Sequence, residues 1–365
     1  MNRQLGAVAV LDREPASSDF LSEVIAGLSS EPRTLPCKFF YDDRGAALFQ
    51  KICELPEYYI TRSELQILRL HGDTIASVLG EQIELIGLGT GAGTKTRILL
   101  GELEKPAVYI PIDISKEQLQ KSTAYFHEIF PQLEILPICA DYLDRFDLPL
   151  PRKPSSRSVV YFPGSTIGNF EPNAAKEFLR RLVDLCGEGG GLLIGVDLRK
   201  DRRVLENAYN DSTGVTAEFN LNLLARVNRE LGSDFDLSCW RHRAVYNEAE
   251  GRIEMHLISE TDQTVHIEDR SASRPEGSRL HQSAGSPSSF ETSPYTEDIN
   301  SVEGAARLRR VRRAFHFGGG ETIVTEYSYK HTPEGFVALA RAAGFEFVRM
   351  WTDDARLFGV FYFKL

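Results

Sequence analysis

The chain has 365 residues, 42 Lys and Arg against 52 Asp and Glu, and a formal net charge of −10. Hydrophobic residues at 42% and charged residues at 26% lie near the globular norm, which excludes wholesale disorder or a fibre and leaves room for one large domain or two ordinary ones. The acidic balance argues against a nucleic-acid partner, whose phosphates need a basic face, and the apolar runs stop far short of the roughly 20 residues that span a bilayer.

The first residues, MNRQLGAVAVLDREP, hold too short an apolar run, followed at once by acids, for a signal peptide. Five scattered cysteines (Cys37, Cys53, Cys139, Cys186, Cys239), without a C-x-x-C pair, suit a reducing compartment. The expectation is a cytoplasmic protein. Residues 15–80 read as helical with loops between. Within them 63–79 puts Leu65, Leu68, Ile75 and Leu79 near helical spacing behind Ser63 as N-cap.

From residue 83 the pattern changes. IELIGLG (83–89), AVYIPIDIS (107–115), LEILPICADY (133–142), SVVYFPGS (158–165) and GLLIGVDL (191–198) are short apolar runs rich in β-branched residues. Helical patterns at 94–103, 116–129 and 174–185 separate them, which predicts right-handed βαβ crossovers and a parallel sheet covered on both faces. Residues 199–260 read as helical, then as alternating strands around RIEMHLIS (252–259) and TVHI (264–267). The stretch 270–296, rich in Ser and Pro and nearly without aliphatics, reads as a mobile insertion. RLRRVRR (307–313) reads as the solvated face of a short helix. Alternation of strand and helix resumes towards the C-terminus, with a strand at 322–330, a helix at 333–343 opened by Thr332, and two closing strands. An α/β sheet domain with a second domain inserted before its last strands is expected.

The stretch IELIGLGTGAGTKT runs strand, glycine turn, helix. Its glycines at 87, 89, 91 and 93 let the backbone approach a ligand closely, and the helix that follows presents free N–H groups. Gly87-Leu-Gly89-Thr-Gly91-Ala92 also satisfies a dinucleotide fingerprint, so a nicotinamide-dependent oxidoreductase stands as a rival. The next strands favour another ligand. Asp113 ends the second strand, where an acid can accept both ribose hydroxyls of an adenosine. Asp141 ends the third, where a second carboxylate can meet the adenine amino group. Asn169 stands at the mouth of the fourth, in PGSTIGNF (163–170). Either acid alone could be a turn residue or a helix cap. Together they are the arrangement of S-adenosylmethionine enzymes. In TIVTEYSYK side chains alternate, so Val324, Glu326 and Ser328 are expected on one face, and Glu326 with Ser328 could hold a ring that carries N–H donors.

These residues resemble the histidine Nα-methyltransferases of ergothioneine biosynthesis, which convert histidine to its trimethyl betaine, hercynine. The matching stretches are KFFYDDRGAALFQKICELPEYYITRSELQIL (38–68), the glycine turn with Lys95 and Thr96, PIDIS, PGSTIGNF, DLRKDRRVLENAYNDSTGVTAEFNLNLLARVNRELGSDFD (197–236), RIEM, TEYSYK and FGV. The resemblance implies a Rossmann-like S-adenosylmethionine domain from 64–198 with 329–365, and an α+β substrate domain from 1–63 with 199–328. It implies a cofactor site at Tyr58, Gly89, Lys95, Asp113, Asp141 and Tyr142. The amino acid's α-amino and carboxylate groups match Gly164, Asn169 and Tyr209, and Asn169 and Tyr209 would orient the reacting amine. The imidazole pocket is matched by Tyr41, Thr216, Phe219, Met255, Glu326 and Ser328.

The implied reaction is three in-line methyl transfers to the α-nitrogen of L-histidine and then of its mono- and dimethyl forms. No single residue stands out as a dedicated base. No nucleic acid, membrane or metal partner is expected, since His242, His256 and His266 lack ligand spacing, and a monomer is. Besides the oxidoreductase, the rivals are an N-methyltransferase of tryptophan or a derivative, and a binding protein that uses the 307–313 arginines. The glycine turn carries more glycines than is usual in the family, and the connection from Met255 to Glu326 is longer.

Overall fold

Short apolar strands that alternate with helices must bury both faces of the sheet they form, and the order of elements follows from that need. The computed structural model describes residues 10–12, 18–89, 91, 93–144, 146–269 and 311–365. In chain order these are β1 (Leu11–Asp12), α1 (Ser18–Leu28), a 3-10 turn (Cys37–Phe40), α2 (Asp43–Glu54) and α3 (Tyr59–Leu79). The alternating part follows as β2 (Glu84–Leu88), α4 (Thr94–Glu102), β3 (Val108–Asp113), α5 (Lys116–Ile129), β4 (Glu134–Ile135), β5 (Ile138–Cys139), β6 (Ser158–Phe162), a second 3-10 turn (Thr166–Asn169), α6 (Pro172–Cys186) and β7 (Gly191–Asp197). Next come α7 (Arg202–Tyr209), α8 (Val215–Leu231), a third 3-10 turn (Leu237–Cys239), β8 (Trp240–Asn247), β9 (Arg252–Ser259), β10 (Gln263–Asp269), β11 (Val311–Phe317), β12 (Thr322–Tyr329), α9 (Pro333–Ala343), β13 (Glu346–Thr352) and β14 (Phe358–Lys364).

The large sheet has the order β1-β5-β3-β2-β6-β7-β14-β13, with β4 also on β3. Pairs from β1 to β7 are parallel, and β14 runs antiparallel to both β7 and β13. The strand order reverses between β2 and β6, and such a crevice, at the carboxyl ends of the strands, is where ligands bind in open α/β sheets. Pleating divides the core into two layers. Leu85, Val159, Leu193 and Val360 face α3, with Ile67 and Ile75. Their neighbours Ile86, Val160, Ile194 and Phe361 face α6 and α9, with Phe178 and Phe336.

A three-stranded antiparallel sheet, β12-β9-β8, stands beyond the end of β7. The two sheets meet where Leu198 and His331 form a bridge and the His331 N–H donates to the Asp197 carbonyl at 3.1 Å. Strands β10 and β11 form an antiparallel pair, Gln263 opposite Phe317 and Asp269 opposite Val311. The segment 270–310 joins their ends, so the insertion expected at 270–296 lies outside the described residues. Among the described residues no helix is long and apolar enough to cross a membrane.

Three expectations are corrected. Helix α3 begins at Tyr59, not at Ser63, and Ser63 is buried inside it rather than capping it. The run 133–142 is two short strands, because Pro137 cannot donate a ladder hydrogen bond between them. Residues 311–313 open β11, so the helical reading of the arginine run fails there, and 307–310 lie outside the described residues. By contrast α9 starts where expected, its Thr332 side chain accepting the Gly335 N–H at 3.0 Å.

Phe336 of α9 is fully buried, its ring 5.3 Å from that of Phe361. Replacing it by Ala removes a large contact and leaves a cavity, so Phe336→Ala is expected to cost about 3–5 kcal/mol, read as a lower urea midpoint.

Candidate active site

After β2 the chain turns through Gly89, Gly91 and Gly93, with φ of +56°, +53° and +74°. These left-handed values favour glycine, and a Cβ on Gly93 would lie 2.7 Å from the Phe126 ring. The turn sits over the end of β3, where the Asp113 carboxylate accepts the Gly91 N–H at 3.2 Å and the Ser115 N–H at 3.0 Å. Burial raises the Asp113 carboxyl above its usual range, against these hydrogen bonds. Tyr142 lies beside the same turn: a Cβ on Gly89 would come within 3.4 Å of its ring. Asp141, two residues past β5, accepts the Leu143 N–H at 2.8 Å and stands 4.0 Å from Lys38. Gly89, Asp113, Asp141 and Tyr142 are thus gathered at neighbouring strand ends, and a ligand with vicinal hydroxyls and a polar ring fits that set of acceptors.

Lys95, in the first turn of α4, is 2.5 Å from Glu64, a fully buried carboxylate of α3. Glu64 also accepts the N–H of Gly164 at 2.9 Å. Gly164, at φ +81°, follows β6 on the other side of the strand-order reversal, so Glu64 and Lys95 tie the two rims of the crevice together.

A second group gathers around β12. Five aromatic rings meet there: Tyr41 lies 5.6 Å from Phe49 and 6.0 Å from Phe219, and Tyr58 lies 6.2 Å from Phe49 and 6.1 Å from Tyr209. Tyr58, expected with the cofactor set, stands in this aromatic group. Thr216 and Phe219 lie one turn apart on α8, both buried. The Asn169 side chain points to the Cys37 thiol, Nδ2 to Sγ 3.9 Å, and its loop packs closely on β12, where a Cβ on Gly168 would meet the Tyr329 carbonyl at 2.8 Å. Burial pushes the Cys37 thiol up to about 12, with Glu326 adding to the rise, so it stays neutral.

The register of β12 corrects the expected alternation. Val324 pairs with His256, Glu326 with Met255 and Ser328 with Ile253, and a bulge at Thr325 lies between the first two. Directly opposed residues share a face, so Glu326, Ser328 and Met255 look one way and Val324 looks the other. Thr325 fixes the bulge by donating its hydroxyl to the Met255 carbonyl at 3.2 Å. Burial pushes the Glu326 carboxyl up to about 7, with Lys330 pulling it down.

Below Ser328 lies a polar network that sequence reasoning missed. The Tyr209 and Ser328 hydroxyls are 2.9 Å apart, and the buried Lys330 ammonium donates to both, at 2.9 and 2.8 Å. Its third contact is Asp197 Oδ2 at 2.8 Å. Asp197 also accepts from the Tyr59 hydroxyl at 2.8 and 2.9 Å and pairs with Lys200. Burial alone would raise the Asp197 carboxyl, yet Lys330 and Lys200 hold it below the usual range. The signals for this network were present. Lys330 follows Ser328 at the spacing of two that shares a strand face, and Asp197 closes an apolar strand as Asp113 does. Glu64 and Phe49 left no such trace, since helix periodicity alone does not mark a buried acid or one pocket ring among core aromatics.

Comparison with known proteins supplies the chemistry this geometry serves. Residues 20–286 and 296–365 match the family model described as histidine-specific methyltransferase, SAM-dependent. The chain is 37% identical over 353 residues to a histidine N-alpha-methyltransferase of Mycolicibacterium smegmatis, covering 96% of each chain. It is 35% identical to a protein of the same name from Mycobacterium tuberculosis, over 93% of this chain and 92% of that one. A Neurospora crassa ergothioneine biosynthesis protein 1 is 31% identical over 70% of this chain and 31% of its own length.

The Glu326 carboxyl binds its proton at about pH 7 in the folded protein and near 4.5, its ordinary value, in the unfolded chain. Between these values the folded state holds more protons, so stability falls as pH rises. Glu326→Gln is therefore expected to stabilise the protein by roughly 1–3 kcal/mol at pH 8 and to gain little at pH 4, measured by urea denaturation at both pH values.

Proposed function

The chain belongs to the SAM-dependent, histidine-specific methyltransferase family, and we propose that it methylates the α-amino nitrogen of L-histidine three times to give hercynine, the first step of ergothioneine biosynthesis. The family assignment removes the nicotinamide reading. The observation that carries the substrate reading is the β12–β9 register, which sets Glu326, Ser328 and Met255 on one face beside the Tyr209 hydroxyl. A carboxylate beside a hydroxyl suits imidazole, whose N–H can donate to Glu326. Tryptophan offers a single N–H on a larger ring.

S-adenosylmethionine, when bound, supplies an electrophilic methyl group on a sulfonium. Asp113 would take the ribose hydroxyls and Asp141 the adenine edge, with Gly89, Lys95 and Tyr142 lining the rest of the cofactor site and Tyr58 reaching it from the aromatic group. The crevice between the β2 and β6 ends brings Gly164 and Asn169 to the same mouth. An α-amino group with a pKa near 8 is mostly protonated at neutral pH, so the pocket must take up the free amine. Asn169 and Tyr209 orient its lone pair, and alignment of that kind can supply roughly 7–11 kcal/mol of the barrier reduction. Cys37, beside Asn169, is held as a neutral thiol and competes neither as nucleophile nor as base. The trimethylated product donates no hydrogen bond, and its cation rests against the faces of Phe219 and Tyr41. Met255 and Thr216 close the ring pocket.

On this reading 64–198 and 329–365 form the cofactor half, and 1–63 and 199–328 the amino-acid half. The enzyme works as a monomer in the cytoplasm, in keeping with its five free cysteines.

The test is incubation with S-adenosylmethionine and histidine, followed by mass spectrometry for mono-, di- and trimethylated products in sequence. Glu326→Ala combined with Met255→Val is expected to lower histidine kcat/KM by roughly tenfold or more and to raise the relative use of tryptophan. An unchanged preference between the two amino acids would remove the pocket assignment.

A further inference from the structure

We infer that Lys330 is a positioning residue for the substrate. It makes acceptors of the Tyr209 and Ser328 hydroxyl oxygens, leaving the pair one proton to present to the amino acid, and it sets a positive charge 2.8 Å from Ser328, on the strand face that also carries Glu326. The inference rests on the histidine reading above. An ammonium has three N–H bonds, and those of Lys330 go to Asp197 at 2.8 Å, Tyr209 at 2.9 Å and Ser328 at 2.8 Å. The two hydroxyls then hold two protons between them. One lies in their mutual bond of 2.9 Å, and the other points away from Lys330.

That remaining proton can leave from either end. When Tyr209 donates to Ser328, Ser328 presents its proton to a ring nitrogen that accepts, as in neutral imidazole. When Ser328 donates to Tyr209, Ser328 can accept a ring N–H and Tyr209 presents its proton to the α-carboxylate. The ring pocket and the carboxylate pocket are thereby joined through one reversible hydrogen bond whose place Lys330 fixes.

The electrostatic part concerns the groups that bear on Glu326. These are Cys37 and Tyr41 at the 3-10 turn, Tyr58 at the start of α3, Tyr209 at the end of α7, and Lys330. Of these five only Lys330 is positive. Its own charge is secure, because Asp197 and Tyr209 hold its ammonium above the usual lysine range against the effect of burial.

The experiment compares the full-length enzyme with Lys330→Met and Lys330→Arg by kcat, KM and the pH profile of kcat/KM for histidine. Lys330→Met is expected to raise KM about tenfold with kcat changed less than about threefold, since substrate binding is what the hydroxyls serve. It is also expected to move the acidic limb of the profile up by about one pH unit, because a positive neighbour no longer favours the Glu326 carboxylate. Lys330→Arg keeps the charge and should leave the limb at its wild-type position even if KM rises. A purely structural lysine would not shift that limb, so a folded Lys330→Met enzyme with wild-type KM and limb overturns the inference. Should Lys330→Met fail to fold by circular dichroism, the cycle of Tyr209→Phe, Ser328→Ala and their double variant decides the matter. Histidine binding in the presence of S-adenosylhomocysteine should then be non-additive by fivefold or more, and additive losses would overturn the inference. A wild-type enzyme that neither binds nor methylates histidine would remove the underlying reaction, a result distinct from either of these.

Discussion

The ion pair between Asp197 and Lys330 is buried at the only bridge that joins the ends of β7 and β12 among the described residues, and both halves of the candidate site are arranged about it. Two charges in an apolar interior are tolerated when each is paired and its remaining hydrogen-bonding capacity is used, and removing one partner of such a pair typically costs about 3–5 kcal/mol. Here that condition is met: Asp197 is reached by Lys330, Lys200 and Tyr59, and Lys330 by Asp197, Tyr209 and Ser328. The pair therefore serves as a joint between two sheets as well as a support for two hydroxyls. Whatever fixes the relative position of the large sheet and β12 also fixes Tyr209 against Ser328.

The two groups of site residues are built by different means. Around Asp113 the shape comes from backbone: glycines at positive φ, N–H groups aimed at a carboxylate, and parallel strands ending in register. Around Glu326 it comes from side chains contributed by segments far apart in sequence, namely 37–58, 209–219, 253–255 and 326–330. A scaffold of the first kind suits a ligand shared by many reactions. An assembly of the second kind suits the discrimination of one amino acid from another, because each contributing segment can vary without disturbing the strands. Glu64 from α3 and Lys95 from the first turn of α4 meet at Gly164 and tie together the two rims of the crevice between these groups.

Much of this was legible in the sequence, and the exceptions have physical causes. The strands of the large sheet carry a local signature, continuous β-branched runs bounded by glycine and proline, so β2, β3, β6 and β7 fall close to their expected limits. The acids at strand ends could be read because position along a parallel strand implies position in the sheet. Ser63 misled because a serine before an apolar period resembles a cap, whereas the helix gains four more residues by burying Tyr59 and Ile60. Val324 misled because alternation assumes a regular pleat, and a bulge is set by the partner strand. The Lys330 network stayed hidden for a similar reason: a lysine in a sequence is a solvent-seeking residue by default, and only the arrival of Asp197 from another sheet makes its burial tolerable.

The bulge at Thr325 has a bearing on how this pocket can change over time. Residues before it and residues after it are in opposite phases of the pleat, and Thr325 absorbs the difference. Losing Thr325 alone would leave Val324 opposite His256 and Glu326 opposite Met255, each facing as it does now. Losing Tyr327 instead would set either Glu326 or Ser328 opposite Glu254 and turn it away from the pocket side. Strand β12 can thus shorten by one residue at the bulge with its pocket side chains in place, but not between Glu326 and Ser328. A change of length between Glu326 and Ser328 therefore reaches the specificity of this site as directly as a substitution does, by turning a side chain over in place of replacing it.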